Sequence, residues 1–540
     1  MPSSNAFPGS EGDPQDVVGQ LAHWLLTATA HCAIGTALGM LIAQLMRSRH
    51  LHWSWAPSGL APLLLASPGH GGVTFTLALA VLLASIRSRR WHREDLEAGA
   101  DLADLAAARR TPLDLVRCLG RSAALRARIN LDGPRRLGRQ ELLLGLDEAN
   151  RGVSIPFDAA GSGKHTLVVG ATGSGKTVTQ TWIATRAIEH GMAAVVVDPK
   201  GDRGLREQVR QAALAAGRSF LEWTPEGGSV YNPYARGGAS EIADKVLAGE
   251  HFTEPHYLRQ AQRYLGHVVR ALSQAETEVS LRAIVEHLEP AQLEMLSRRQ
   301  PEPEARATFA YLDSLSTRQR SDLAGVRDRL AILAESDVGR WLDPRTDNAE
   351  QFDLLSAVRE RAAVYFSLES DSRPLLAQML GAAIVQDLQT TVAASQGRPV
   401  PTLVVIDEFS AIAAEQVVRL FGRARSAGFS LLLGTQELSD LRPPGRERLL
   451  EQVLGNLSGL IAHRQVVPSS AELISNVAGS KGAWRVSRHS DGKTTRTRSR
   501  EPVLDPDQVM SLERGWAAVL VLEHGGSAHL ARMFSPARLR

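Results

Sequence analysis

Charged and apolar positions divide the chain into three kinds of stretch. Near the N-terminus, residues 21–46 and 58–86 are almost free of charge. The first run is long enough to cross a bilayer as a helix, which takes about 20 residues. The second is broken by Pro68-Gly69-His70-Gly71-Gly72 and reads as a helix over 73–86 with an apolar piece at 60–66 in front. Further on, short apolar runs at 167–169, 193–197, 220–223, 362–368, 402–409, 429–436, 460–464 and 516–522 have the length and flanks of buried strands. Helical spacing separates several of them, as at 178–190 and 374–390. Between about 239 and 352 the strand runs stop. Helical periodicity takes over there, as in Tyr257, Ala261, Tyr264, Leu265, Val268 and Leu272, and again over 323–333. This alternation predicts an α/β fold built on a parallel sheet. The core spans 140–238 and 353–540, with an all-helical insertion at 239–352. An N-terminal membrane anchor occupies 1–95, its spans at about 20–46 and 60–87. The alternative for the two uncharged runs is a pair of buried helices in a soluble domain.

Charge refines this outline. The formal net charge is only +3, so local clusters matter more than the total. Residues 1–16 carry Glu11, Asp13 and Asp16 without Lys or Arg, which predicts disorder and does not fit a cleavable signal peptide. Arg87, Arg89, Arg90 and Arg93 after the second run favour the cytoplasmic side there. Two successive crossings then put the N-terminus inside and leave Arg47 and Arg49 outside, against the positive-inside tendency. Ala28, Ala30, Gly35, Ala37 and Gly39 suit close helix packing in lipid. Trp53 and Trp55 fit interface anchors, and His23 and His31 read as interfacial or neutral. Residues 96–139 form an Arg-rich helical connector, either facing anionic lipid or DNA or simply solvated. A second basic stretch, 481–500, reads as a flexible loop or hairpin suited to phosphate contact. The two cysteines, Cys32 and Cys118, have no metal-type spacing, which excludes a disulfide framework.

The chemistry concentrates at Gly170-Ala171-Thr172-Gly173-Ser174-Gly175-Lys176-Thr177, a full G-x-x-x-x-G-K-[ST] match between a strand and a helix. Gly170, Gly173 and Gly175 allow a tight turn whose N–H groups converge on one anion. The segment is read as a P-loop for ATP. Lys176 would serve the β- and γ-phosphates, and the Thr177 hydroxyl would hold Mg²⁺. The strand at 402–406 runs into Asp407 and Glu408. Asp407 is placed on the Mg²⁺ water shell, and Glu408 as the base that orients and deprotonates the attacking water. Gln436, ending the next strand, is placed as a sensor of the γ-phosphate. Arg423 and Arg425 lie between these strands, and an arginine there could complete a neighbouring subunit's site. Asp198-Pro199-Lys200-Gly201-Asp202 puts charged groups at another strand's carboxyl end, where open parallel sheets bind ligands. Gly161-Ser162-Gly163-Lys164 lacks the first glycine and precedes a strand, so it reads as an ordinary loop.

In order, HTLVVGATGSGKT, VVVDPKGD, YNPY, the helical stretch, VYFSLES, LVVIDEFSAI, RARSAGFSLLLGTQELSDL, GNLSGLIAHR and VLDPDQVMSLERGWAAVLV follow two membrane segments. This order resembles the type IV coupling proteins of bacterial conjugation and DNA secretion, in the hexameric DNA-pumping branch of the RecA-like P-loop ATPases. The resemblance implies a RecA-like core with an inserted all-helical domain that meets the substrate. It implies an inner-membrane homo-hexamer with a cytoplasmic motor that binds ATP, Mg²⁺ and DNA, and links a relaxase–DNA complex to the secretion channel. It carries Lys176 and Thr177 over as the P-loop pair, Asp407 and Glu408 as the acidic pair, Gln436 as the sensor and Arg425 as the arginine acting in trans. The chain departs from the family at PGHGG and lacks the long acidic tail that some members use to hold accessory proteins. The alternatives are another pump of the branch, a secretion-assembly ATPase, or a non-hydrolysing membrane scaffold; the intact Lys176, Asp407, Glu408 and Gln436 speak against the last.

Overall fold

A computed structural model describes residues 14–49, 51–58, 71–97, 112, 141–157, 161–250, 252, 254–412, 414–442, 448–488, 494–523 and 526–536. The acidic terminus up to residue 13, the 60–66 piece and nearly all of the 96–139 connector lie outside them. The chain divides into two units, Met1–Ala124 with Lys481–Glu501, and Leu125–Ser480 with Pro502–Arg540.

The strands, in chain order, are β1 Glu141–Asp147, β2 Gly152–Pro156, β3 Thr166–Val169, β4 Ala193–Asp198, β5 Phe220–Trp223, β6 Ser229–Tyr231, β7 Glu350–Phe352, β8 Ala363–Ser367, β9 Thr402–Ile406, β10 Phe429–Thr435, β11 Gly459–Ala462, β12 Ser480–Arg488, β13 Thr494–Pro502, β14 Trp516–Val521 and β15 Ser527–Met533. Eleven of them make one sheet in the order β2-β1-β15-β14-β11-β3-β10-β9-β4-β8-β5. From β11 to β5 every pairing is parallel. From β11 to β2 every pairing is antiparallel.

The parallel strands read as continuous apolar runs because both faces are covered. Leu167, Val169, Val195, Val197, Val404 and Ile406 face one layer, with Leu380, Ile384, Val417 and Leu420 from helices Pro374–Ala394 and Ala414–Ala424. Val168, Val196 and Val405 face the other, with Trp182, Ile183, Leu205 and Val209 from helices Lys176–Glu189 and Arg203–Ala215. The sequence signals ended the sheet at β14 and found no strand before β3. The structure adds β1, β2 and β15 at that edge. In β15 only Ala531 and Met533 are buried, while Ser527, His529 and Arg532 are exposed, so no apolar run announces it.

Helices Ala239–Leu247, Pro255–Gln274, Leu281–Glu286, Pro290–Ser297, Glu302–Ser314 and Thr317–Ala334 follow β6. Their Tyr264, Leu272 and Leu330 share one continuous core with Trp223 and Val364 of the sheet. Where the chain returns, β7 pairs in parallel with β6. The expected strand-free insertion therefore ends in a strand, too short and too polar at Glu350-Gln351 to be read from sequence. A buried polar cluster ties the first of these helices to the core. Lys245 Nζ donates to Asp387 Oδ1 at 2.7 Å, Pro233 O at 3.0 Å and Arg236 O at 2.7 Å. Tyr231 donates to Asp387 Oδ2 at 2.8 Å. Burial pushes the Asp387 carboxyl up from its ordinary value, against the pull of Lys245.

In the other unit, helices Pro14–Ser48 and Gly71–Glu97 contain spans long and apolar enough to cross a membrane, Val18–Ser48 and Gly71–Trp91. They pack side by side in the same direction. A Cβ at Gly35 would lie 3.0 Å from Thr76 O, and one at Gly39 2.9 Å from Ala80 O, so glycine at these positions lets the two backbones approach closely. His31 Nδ1 sits 2.8 Å from Thr76 Oγ1, giving this polar residue a partner across the pair. At the other end the guanidinium groups of Arg47 and Arg87 both lie over the Trp91 ring, at 5.0 and 4.6 Å, and Arg89 lies over Trp53 at 5.3 Å. Two successive crossings would have separated Arg47 from Arg87. The parallel pairing instead collects these arginines at one end of the pair.

Two outcomes follow from these contacts. In protein lacking Cys32 and Cys118, Arg49→Cys and Arg90→Cys should be modified by a membrane-impermeant thiol reagent from the same side; labelling from opposite sides contradicts the parallel pair. Lys245→Met leaves the buried Asp387 uncompensated, a loss of about 3 kcal/mol or more. Amide exchange in the Ala239–Leu247 helix should then accelerate on the order of a hundredfold, and an unchanged rate contradicts the anchoring role.

Candidate active site

The sheet order creates the site. β3 leads into the glycine-rich loop, β9 leads into the acids, and β10 lies between them and ends beside both. Gly175 takes φ +114° immediately before the Lys176–Glu189 helix, and Gly173 takes φ +77°. No side chain caps that helix. Its first-turn N–H groups, beyond the reach of intrahelical carbonyls, therefore stay open toward the loop together with the positive end of the dipole. Ser174 Oγ is buried there without a hydrogen-bond partner. These features fit a bound phosphate.

Lys176 is 7 % exposed. Its Nζ lies 2.8 Å from Asp407 Oδ1 and 2.7 Å from Glu408 Oε1, and both carboxylates are buried as well. Gln180 Nε2 donates to Asp407 Oδ1 at 3.1 Å. Glu408 takes φ +45°, a left-handed conformation that is costly for a residue with a Cβ and is common where strain serves a site. Gly434 of β10 clears the space: a Cβ there would come within 2.3 Å of both Asp407 Oδ1 and Gln180 Nε2. Gln436 touches the loop through Thr172, whose Oγ1 is 3.4 Å from Gln436 Oε1.

The other wall is His463 of the segment after β11. Its Nε2 lies 3.0 Å from Thr179 Oγ1 and its Nδ1 3.1 Å from the Trp516 carbonyl oxygen. A Cβ on Gly170 would lie 2.7 Å from the His463 Cβ. Burial lowers this imidazole to about 4, against the Trp516 carbonyl and with help from the Lys176 charge, so it is neutral at pH 7. On the far side, Lys200 Nζ reaches Glu408 Oε1 at 3.0 Å.

The structure thus brings together Gly170, Ala171, Thr172, Gly173, Ser174, Gly175, Lys176, Asp407, Glu408 and Gln436. Thr177 stands in the same first turn, half-buried; among the described residues no hydrogen bond joins its hydroxyl to Asp407. For Mg²⁺, the described residues contain no cluster of three or more His, Cys, Asp or Glu side chains. A hydroxyl and a single carboxylate fit this ion, which keeps several waters and takes its other ligands from phosphates. Arg425 is not at this site. It begins a short turn ahead of β10, is exposed, and donates through Nη2 to Asn456 O at 2.6 Å. The seven-residue β10 separates it from Gln436, about 20 Å of strand. The 161–164 loop lies at that same edge, with Lys164 Nζ 2.6 Å from Glu523 Oε1. Sequence reasoning did not single out Gln180, Gly434 or His463. Lys200 was visible only as part of a charged turn.

Solved structures share this fold. A structure entitled "Bacterial conjugative coupling protein TrwBdeltaN70" matches with a TM-score of 0.55 at 18 % identity, over 74 % of this chain and 90 % of that one. The plasmid coupling protein TrwB in complex with ADP and Mg²⁺ matches with a TM-score of 0.55 at 18 % identity, over 74 % and 91 %. VirB4 of Thermoanaerobacter pseudethanolicus matches with a TM-score of 0.50 at 13 % identity, over 75 % and 99 %. No curated protein matches the sequence. Residues 151–529, which include every site residue above, match the type IV secretion-system coupling protein DNA-binding domain, and the chain belongs to that family.

Proposed function

We propose that this protein is a membrane-anchored, ATP-driven DNA translocase and substrate receptor. It passes a relaxase–DNA complex to a type IV secretion channel from the bacterial inner membrane, with its motor in the cytoplasm, and works as a homo-hexamer. The observation that carries this reading is the Lys176 ammonium shared by Asp407 and Glu408 beside an open helix N-terminus, in a chain of the coupling-protein family. TrwB, of the same fold, holds ADP and Mg²⁺ in its solved complex, which supports a nucleotide with Mg²⁺ at the matching loop here.

The residues divide the reaction between them. The 170–177 loop cradles the phosphates, and Lys176 turns from its acids to the β- and γ-phosphate oxygens. Thr177 and Asp407 would hold Mg²⁺, which would supply charge neutralisation to the phosphates. Glu408 accepts a proton from the attacking water as its oxygen bonds to the γ-phosphorus. The bond from that phosphorus to the β-phosphate oxygen breaks, and ADP and phosphate leave. Gln436, in contact with Thr172 of the loop, reports loss of the γ-phosphate to β10. Arg425 reaches no group of its own subunit's site, so any role at the transition state is toward a neighbour. The basic β12–β13 pair is assigned to nucleic-acid phosphates.

Lys176→Ala should abolish ATP hydrolysis and DNA transfer. Glu408→Gln should bind ATP with near-parent affinity and hydrolyse it about 10²–10⁴-fold more slowly. A Glu408→Gln protein that turns over at the parent rate removes the base from the mechanism. Mixing tests Arg425. Lys176→Ala subunits keep Arg425 and Arg425→Ala subunits keep Lys176, so mixed hexamers should regain part of the activity that neither protein has alone. Mixed hexamers without activity rule out action in trans.

A further inference from the structure

We propose that Lys200 is a positioning residue for Glu408: it holds the carboxylate in place when Lys176 leaves it for a phosphate. This rests on the ATPase reading above.

Glu408 Oε1 is shared by two ammonium groups, Lys176 Nζ at 2.7 Å and Lys200 Nζ at 3.0 Å. Among the described residues these are the donors that hold the carboxylate. Lys176 has to serve two partners in turn, because the same ammonium that pairs with Glu408 sits in the first turn of the phosphate-binding helix. Once it turns to a phosphate, Glu408 loses half of its support. A glutamate next to Asp407 and close to incoming phosphates is then pushed outward by like charge. Lys200 lies outside the loop and has no such second task.

The backbone that carries Lys200 is built to stay put. Asp198, 1 % exposed at the end of β4, accepts from the Lys200 N–H at 2.9 Å and from the Asp202 N–H at 2.6 Å, closing the turn on both sides. The Tyr365 hydroxyl donates to the same carboxylate. Burial pushes the Asp198 carboxyl up, while these hydrogen bonds oppose it and the nearby Asp407 charge adds to it. Gly201 takes φ +71°, and a Cβ there would lie 2.7 Å from Ser367 Oγ. Ser370 N–H donates to Pro199 O at 2.7 Å, so the loop after β8 clamps the turn from the outside. Partial burial draws the Lys200 ammonium down, but its hydrogen bond to Glu408 and the charges of Glu408, Asp407 and Asp371 outweigh it and hold it above its ordinary value. It therefore stays charged at neutral pH. The side chain is 42 % exposed, so the ammonium keeps part of its hydration while holding Glu408.

The test is steady-state ATP hydrolysis and nucleotide binding by the full-length protein in detergent or lipid discs, comparing parent, Lys200→Met and Lys200→Arg. Lys200→Met should lower kcat about 10–100-fold, the scale expected when a reacting group loses its aim. KM and the affinities for ADP and for a non-hydrolysable ATP analogue should stay at parent values, which also shows that the fold is intact. Lys200→Arg should recover most of the rate. An unchanged kcat in Lys200→Met overturns the proposal while leaving the ATPase reading intact. A selective loss of affinity for the triphosphate analogue overturns it too, making Lys200 a phosphate ligand. A parent protein that binds ATP but does not hydrolyse it overturns the ATPase reading and this proposal together.

Discussion

A buried ammonium must find counter-charges, and Lys176 finds two. It is 7 % exposed, and without Asp407 and Glu408 its charge would have no compensation in a poorly solvated pocket. Much of the sheet's architecture serves that contact. The acids come from β9 and the lysine from the loop after β3, so the two strands must lie near each other with β10 between them. β10 in turn must carry glycine at position 434, because any side chain would strike Asp407 and Gln180. The seven parallel strands, buried on both faces, make this alignment stiff. Under the proposed function, a phosphate arriving at the open helix N-terminus would compete for the same ammonium that holds the acids, which would link its binding to the release of Glu408 through one atom.

The surroundings of this contact are restrained as well. His463, kept neutral by burial, is a wedge against the loop and does not compete with Lys176 for the acids. The Asp198 turn aims a second lysine at Glu408. The helices after β6 are bound to the sheet by the Lys245–Asp387–Tyr231 cluster and by a shared apolar core.

The loop, the acids and the parallel strands were legible in sequence because each is local: glycine spacing, an apolar run, a terminal charge. What sequence missed depends on partners far along the chain. Lys200 meets Glu408 across 208 positions, and the role of Gly434 exists only because Asp407 lies across the strand pair. β15 was hidden because alternate exposure breaks its apolar pattern, and β7 because it is three residues long. Arg425, which the resemblance assigns to a neighbouring subunit's site, stands at the opposite edge of the sheet from its own P-loop. In the N-terminal unit, glycines 35 and 39 pointed to close helix packing. Their register with Thr76 and Ala80, which makes the pair parallel, could not be read from either run alone.

Under the proposed mechanism, Lys176 exchanges its acids for a phosphate while Glu408 stays behind on Lys200. A structure of the full-length protein with a non-hydrolysable ATP analogue and Mg²⁺ measures this directly. Lys176 Nζ should then lie within about 3 Å of a γ-phosphate oxygen and no longer bond Glu408, with the Lys200–Glu408 contact kept. An analogue bound away from the 170–177 loop, or a Lys176 still bridging Asp407 and Glu408 with the triphosphate in place, would contradict it.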